Sequence, residues 1–299
     1  MTETHSANHD AVFFNGAITS SAEARLPISD RGVLFGFGFF ETFRTSGGRP
    51  HHWRFHRQRL ERACATAQIA LPNSFLAADE PRLNQVIHEL LQRHRFKDAV
   101  FRYTVTAGPE RNGSDARPTE FLVLRPLPNE IPEEGICVRV LNQTRDNGEW
   151  VPRPKSLNYG NALLGSAELK RRAKAATDEG LFLSRDGGFI VETARQNIAW
   201  IADGRLCYPE ASLGAIAGTC LEWMLDLGVP NESRRAPVDA LLTADAVVVT
   251  NSVRGITPVN LVYDRDDRPV RVGLDSVNHP IVASLRRQWI EALEATAED

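Results

Sequence analysis

The spacing of apolar residues changes several times along the chain, and each change marks an element. Ala11–Phe14 is a short apolar run closed by Asn15-Gly16, which predicts a strand and a tight turn. A glycine-rich stretch, Gly32–Gly38, follows Leu26–Ile28. Phe39–Thr45 then alternates as a strand does and ends at Gly47-Gly48. Across His51–Ile69, Trp53, Leu60, Ala63 and Ala67 fall near one face with arginines opposite, which predicts a helix. Pro81–His94 predicts a second helix, apolar through Leu83, Val86, Ile87, Leu90 and Leu91. Ala99–Ala107 and Glu120–Arg125 return to strand patterns.

Pro126–Gly135 is rich in proline and acid and reads as a linker. Beyond it come a strand, Ile136–Asn142, and a helix, Asn161–Ala176. Strands follow at Gly180–Ser184, Phe189–Glu192, Ile198–Ala202 and Leu206–Tyr208, with Asp186-Gly187-Gly188 as a hairpin turn. Thr219–Leu227 and Pro237–Ala244 read as helices, Ala246–Thr250 as a continuous apolar strand, and Asp275–Ala297 as a closing helix. Strands cluster rather than alternate strictly with helices, so the expected class is α+β. The expected organisation is a small N-terminal domain over 1–126, a linker over 127–134, and a larger C-terminal domain over 135–299.

Composition narrows the function. The 299 residues are 42% hydrophobic, enough for two cores of ordinary size. A formal net charge of −3, mixed along the chain, gives no nucleic-acid footprint. A small anion would need a local cluster of arginines. Cys64, Cys137, Cys207 and Cys220 are scattered, which fits neither a zinc site nor a disulfide framework. They read as small buried residues in a reducing compartment. Met1–Asp10 is too polar for a signal peptide, and no stretch reaches membrane-spanning length. The expectation is a soluble cytoplasmic protein with no membrane partner and no metal.

Candidate chemistry starts with lysine. The chain has four, Lys97, Lys155, Lys170 and Lys174, and arginine carries the remaining basic charge. Only an amine can lose its proton near neutral pH and attack a carbonyl. Lys97 lies in a polar turn, and Lys170 and Lys174 lie on the polar face of a helix. Lys155 instead follows a proline-broken extended stretch and precedes an apolar helical run.

Four other features carry polar chemistry, and each also has an ordinary structural reading. Leu213–Thr219 is a small-residue loop running into a helix, either an anion cradle or a tight turn. Thr250–Pro258 places hydroxyls and an amide at a strand end, either a ligand loop or a capped strand exit. Glu192 ends an apolar strand, so it needs a partner, either a protonated ring nitrogen or an arginine such as Arg195. Arg59 either reaches a phosphate or lies on the wet face of its helix.

As an ordered set, these motifs resemble the class IV (fold type IV) pyridoxal-phosphate enzymes. That family includes branched-chain aminotransferases, D-amino-acid aminotransferases and 4-amino-4-deoxychorismate lyases. The resemblance runs from about Phe13 to Val259. It passes through Ser29-Asp30-Arg31-Gly32, Gly36–Thr42, His56-x-x-Arg59-Leu60, Lys155, Glu192–Asn197, Gly214–Gly218 and Asn251–Pro258. It implies a two-domain fold like that of D-amino-acid aminotransferase, pyridoxal 5′-phosphate as cofactor, and a homodimer.

The resemblance also implies roles. Lys155 matches the lysine that carries the cofactor as a Schiff base and shuttles protons, and Glu192 the carboxylate that holds the pyridine nitrogen protonated. Arg59 matches the phosphate-binding arginine, and Ile216 and Ala217 the loop whose N–H groups bind phosphate. Relatives often carry a hydroxyl where Ala217 stands. Asn251 and Ser252 match the second phosphate loop. Asn197 and Tyr159 match further cofactor contacts.

Phe40, Thr42, Arg44 and Arg102 match the substrate pocket. Threonine at Thr42 is lyase-like, whereas branched-chain aminotransferases favour glycine there. Arg102 falls where branched-chain enzymes bind a carboxylate and where lyases also often carry a basic residue. The arginine that D-amino-acid aminotransferases carry near Ala107 is lacking. The resemblance therefore implies a lyase forming 4-aminobenzoate and pyruvate, with amino-acid transamination as the alternative. A binder without enzymatic activity is the third reading, opposed by the intact set of Lys155, Glu192 and Arg59.

Overall fold

The computed structural model of the protein describes residues 10–72, 74–109, 117–128, 134–145, 151–272 and 274–298. Residues 129–133 of the expected linker lie outside these. The chain forms two compact units. One comprises Met1–Pro128, Lys155–Asn158 and Ala292–Asp299, the other Asn129–Pro154 and Tyr159–Glu291.

The smaller unit is built on a six-stranded sheet. Its strands are β1 (Ala11–Phe14), β2 (Ala17–Ser20), β3 (Gly38–Ser46), β4 (Arg49–Pro50), β5 (Ala99–Thr106) and β6 (Thr119–Pro126), in the order β2-β1-β6-β5-β3-β4. Asn15 and Gly16 have φ of 46° and 97°, the paired positive values that let a two-residue hairpin match the strand twist. Helices α1 (Arg31–Phe35), α2 (Trp53–Thr66) and α3 (Glu80–His94) complete the unit. Phe43, Leu60, Leu83, Ile87 and Phe101 form a core with no or almost no exposure. Each such side chain contributes about 1.5–3 kcal/mol of burial free energy.

Helix α1 falls in the stretch that looked merely glycine-rich. Asp30 caps it by accepting the Gly32 N–H at 2.7 Å, and Gly36 ends it at a φ of 66°. Asp30 is fully buried and also accepts from the hydroxyls of Thr106 and Thr119. The Ser29–Gly32 motif is thus a helix start pinned to the sheet.

The larger unit carries a nine-stranded sheet. Its strands are β7 (Ile136–Arg145), β8 (Glu179–Ser184), β9 (Ile190–Thr193), β10 (Asn197–Ala202), β11 (Arg205–Pro209), β12 (Asn231–Arg234), β13 (Ala246–Asn251), β14 (Gly255–Tyr263) and β15 (Pro269–Val272). The path is β12-β11-β10-β13-β14-β7-β8-β9, with β15 beside β14. Its helices are α4 (Gly160–Arg172), α5 (Thr219–Asp226), α6 (Ala240–Thr243) and α7 (Pro280–Glu298), the last grouping with this unit up to Glu291. Val138, Leu181, Ile198, Trp200 and Val249 lie in its core. The sequence placed all of 135–299 in one domain. The structure differs at Lys155–Asn158 because that segment pairs with β3, through Phe40 N–H to Lys155 C=O (3.0 Å) and Leu157 N–H to Gly38 C=O (2.9 Å).

Candidate active site

Lys155 belongs to one face of the small unit's sheet. Strand side chains alternate between faces, and residues paired across antiparallel strands share one. Phe39 bridges Ser156, so Phe40 shares its face with Lys155. Phe40 also pairs with Thr104, and Thr42 with Arg102. This face therefore presents Lys155, Phe40, Thr42, Arg102 and Thr104, while Phe39, Glu41 and Phe43 point to the opposite, core side. The lysine Nζ lies 4.8 Å from the Phe40 ring centroid, and the Arg102 guanidinium lies over the same ring at 3.6 Å. Both side chains thus lie against one aromatic ring and stand no more than about 8.4 Å apart. The other three lysines are exposed, whereas Lys155 is half-buried. Arg44 shares the face but lies four residues from Phe40, about 13 Å along the strand. There its Nε donates to Thr45 C=O at 3.4 Å, and burial lowers its pKa against the opposing charge of Asp98.

On the core side, Arg59 is engaged by Glu41. Its Nε donates to Oε1 at 2.8 Å and its Nη2 to Oε2 at 2.5 Å. His56 Nδ1 meets the same Oε2 at 2.7 Å. Glu41 is 1% exposed. Burial alone would raise its pKa, but the charge and hydrogen bond of Arg59, with that of His56, bring it down to about 2. Burial pushes the His56 pKa down despite Glu41. The wet-face reading of Arg59 fails, because its guanidinium is 9% exposed and locked to a carboxylate. The sequence reading missed Glu41 and His56 as its partners. The signal was available: Glu41 is a lone acid in an apolar strand, and such an acid needs a cation.

In the larger unit Glu192 lies in β9, one residue before its end, with 3% exposure. Its Oε1 accepts from Arg145 Nη2 at 2.6 Å, and its Oε2 from the Ile216 N–H at 3.0 Å. Arg145 is itself fixed, because Nη1 donates to Asn161 at 2.6 Å and its guanidinium lies 4.4 Å from the Phe182 ring. The sequence offered Arg195 as the ordinary partner. Arg195 instead pairs with Glu179 at 2.9 Å, and the partner of Glu192 is Arg145, from the far end of β7. No sequence spacing linked residues 145 and 192.

The loop before α5 lies against β10. Asn197 Nδ2 donates to Ile216 C=O at 2.8 Å, and a Cβ on Gly218 would fall 1.6 Å from Asn197 Oδ1, so only glycine fits there. The Ile216 N–H, expected to face an anion, is engaged by Glu192, because a buried carboxylate takes the nearest donors. Asn197, Ile216, Ala217 and Gly218 line a largely apolar cavity of about 190 Å³ with Tyr208 and Leu221. Tyr159 precedes α4, and its hydroxyl reaches Ala194 C=O at 3.5 Å. Asn251 Oδ1 accepts from the N–H groups of Val253 and Arg254 at 2.9 and 2.8 Å, so it caps the turn after β13. Ser252 is half-buried in that turn. The sequence reading ended at a strand exit here and missed β14, whose Pro258 disguises a strand.

The chain matches amino-transferase class IV over residues 38–262 and belongs to that family of lyases and aminotransferases. It is 31% identical to the aminodeoxychorismate lyase of Bacillus subtilis over 267 residues, covering 85% of this chain and 87% of that protein. A putative branched-chain-amino-acid aminotransferase of Methanocaldococcus jannaschii is 29% identical over 257 residues, covering 83% and 86%. The fold matches the crystal structure of 4-amino-4-deoxychorismate lyase from Pseudomonas aeruginosa with a TM-score of 0.74 and 26% identity, covering 94% of this chain and 98% of that one.

Proposed function

We propose that the protein is a pyridoxal-5′-phosphate-dependent lyase that releases pyruvate from 4-amino-4-deoxychorismate and forms 4-aminobenzoate. The observation that carries this reading is the Phe40 ring with Lys155 and Arg102 both against it. It sets a reactive amine and a carboxylate-binding guanidinium on an aromatic floor suited to a flat, anionic amino compound.

The residues fit the cofactor. Lys155 would supply the amine, Glu192 a fixed carboxylate for a ring nitrogen, and the first turn of α5 backbone N–H groups for phosphate. Arg59 would bind phosphate as well, with Glu41 holding its orientation. Asn197 shapes the loop through Ile216 C=O, Ala217 lends its backbone, Tyr159 stands at the start of α4, and Asn251 and Ser252 form the second loop. Bound pyridoxal phosphate supplies an aldehyde for the amine and a protonated ring that withdraws electrons. Lys155 Nζ then takes a proton from the substrate carbon next to nitrogen. Arg102 and Thr42 hold the carboxylate while enolpyruvate departs and is protonated to pyruvate.

Transamination is the second reading, favoured by the Methanocaldococcus relative. The two separate in one experiment. Holoenzyme is mixed with 4-amino-4-deoxychorismate and, separately, with L-amino acids, while 4-aminobenzoate and the cofactor spectrum are followed. The lyase reading expects 4-aminobenzoate and a spectrum nearly unchanged by amino acids. Rapid conversion to pyridoxamine phosphate, reversed by an oxo acid, would replace it with the transaminase.

A homodimer in the cytoplasm completes the proposal. Ile28, Val33, Leu34 and Phe35, on and beside α1, are 55–86% exposed, an apolar patch suited to a second copy. Among the described residues no helix is long and apolar enough to cross a membrane, and no group of acids, histidines and cysteines could hold a metal. Sedimentation at the dimer mass checks the assembly.

A further inference from the structure

The face that carries Lys155 holds one polar group with no role so far. Thr104 sits opposite Phe40 in the sheet and two residues beyond Arg102 on the same side of β5. It is 0% exposed, and its Oγ1 has no hydrogen-bond partner among the described residues. Neighbouring threonines behave differently. Thr106 donates to Asp30 at 2.8 Å, Thr119 to Asp30 at 3.1 Å, and Thr45 accepts the Ala99 N–H at 3.0 Å. A buried hydroxyl without a partner is destabilising, and a valine of the same shape would avoid that loss. Such a group calls for a specific reason.

We propose that Thr104 is a specificity-determining residue whose hydroxyl is kept for the substrate. This rests on the reading of Lys155 as the reacting amine. The ligand class is a small amino compound with a carboxylate that Arg102 binds and a further oxygen, from a hydroxyl or second carboxylate, that Thr104 binds. The geometry follows from the register. Lys155 Nζ lies 4.8 Å from the centre of the Phe40 ring, Arg102 covers that ring at 3.6 Å, and Thr104 is the cross-strand neighbour of the same phenylalanine. A site built to hydrogen-bond an oxygen discriminates strongly against analogues that lack it, because its own buried group is then left unpaired.

The test compares wild type, Thr104→Val and Thr104→Ser as holoenzymes. Each is titrated calorimetrically with chorismate, which offers two carboxylates and a hydroxyl, and with 2-oxoglutarate, a dicarboxylate, so that each probe carries the second oxygen group that Thr104 would bind, and each is melted without ligand. The expected result is that at least one compound binds wild type, and that Thr104→Val weakens it about tenfold. Thr104→Ser should stay within about twofold, and ligand-free Thr104→Val should melt at or above wild type. In turnover the valine variant should raise KM more than it lowers kcat. Unchanged affinity in Thr104→Val, no recovery with serine, or no binding of either compound overturns the proposal. A lower melting temperature with unchanged affinity would mark the hydroxyl as bonded to trapped water. Borohydride reduction of the same samples separates the two levels. A cofactor adduct on Lys155 alongside a silent Thr104→Val sinks only this inference, whereas a missing adduct sinks the reading beneath it.

Discussion

Replacing Glu41 by glutamine tests the electrostatics of the small unit. Glu41 is 1% exposed and meets Arg59 twice and His56 once. Its pKa falls from 4.5 to about 2, a shift worth ~3 kcal/mol when both states are ionised. Removing one partner of a buried ion pair costs about 3–5 kcal/mol, the same range. The folded-state pKa is depressed, so this stability is fully present above pH 4.5 and is lost as the pH falls towards 2. Hydrogen exchange at the amides of α2, read by mass spectrometry, reports this unit without requiring the whole chain to unfold together. The expected loss in opening free energy for Glu41→Gln is about 3 kcal/mol at pH 7, shrinking as acid protonates Glu41 in the wild type. A loss under about 1 kcal/mol at pH 7, or one that does not change with pH, would refute the reasoning.

Further outcomes follow from the same geometry. Arg145→Leu strands Glu192 and should lower stability by about 3–5 kcal/mol in urea, while Arg145→Lys should lose less. Gly218→Ala forces a Cβ into Asn197, so pyridoxal phosphate should bind at least about tenfold more weakly by absorbance titration, a loss of ~1.4 kcal/mol. Burial pulls His51 down to about 2 and His52 to about 4 from an ordinary 6.5. Unfolded histidines bind protons below 6.5 and the folded ones do not, so the thermal midpoint should fall as pH drops from 6.5 to 4. A flat profile across that range would contradict their burial.

Much of the fold was legible because period and burial agree. Phe39–Thr45 alternates between a core face and the face shared with Lys155, and α2 and α3 each carry one apolar stripe. Their boundaries moved by a few residues because sequence marks helix ends weakly: α2 starts after His52 in a left-handed conformation, with no side-chain cap. Helix α1 was hidden because its Val33, Leu34 and Phe35 are exposed and give no core-facing pattern. Strands β2, β12 and β15 are short, largely polar or at sheet edges, where alternation fades.

At the site, the sequence singled out Lys155, Glu192 and Arg59 but could not supply their partners. Those come from distant strands: Arg145 to Glu192, and Glu41 with His56 to Arg59. Pairing across strands depends on register, which no local spacing encodes. The same limit hid Thr104, whose significance appears only when it is seen opposite Phe40 with an unmet hydroxyl.

The central claim is that one amine, on Lys155, anchors the cofactor. The most direct measurement is peptide mapping by mass spectrometry after borohydride reduction of the protein saturated with pyridoxal 5′-phosphate. The account predicts a single phosphopyridoxyl adduct, on Lys155, that disappears in Lys155→Ala while α2 and α3 keep their exchange protection. An adduct on Lys97, Lys170 or Lys174 in its place, or none at all, would contradict it.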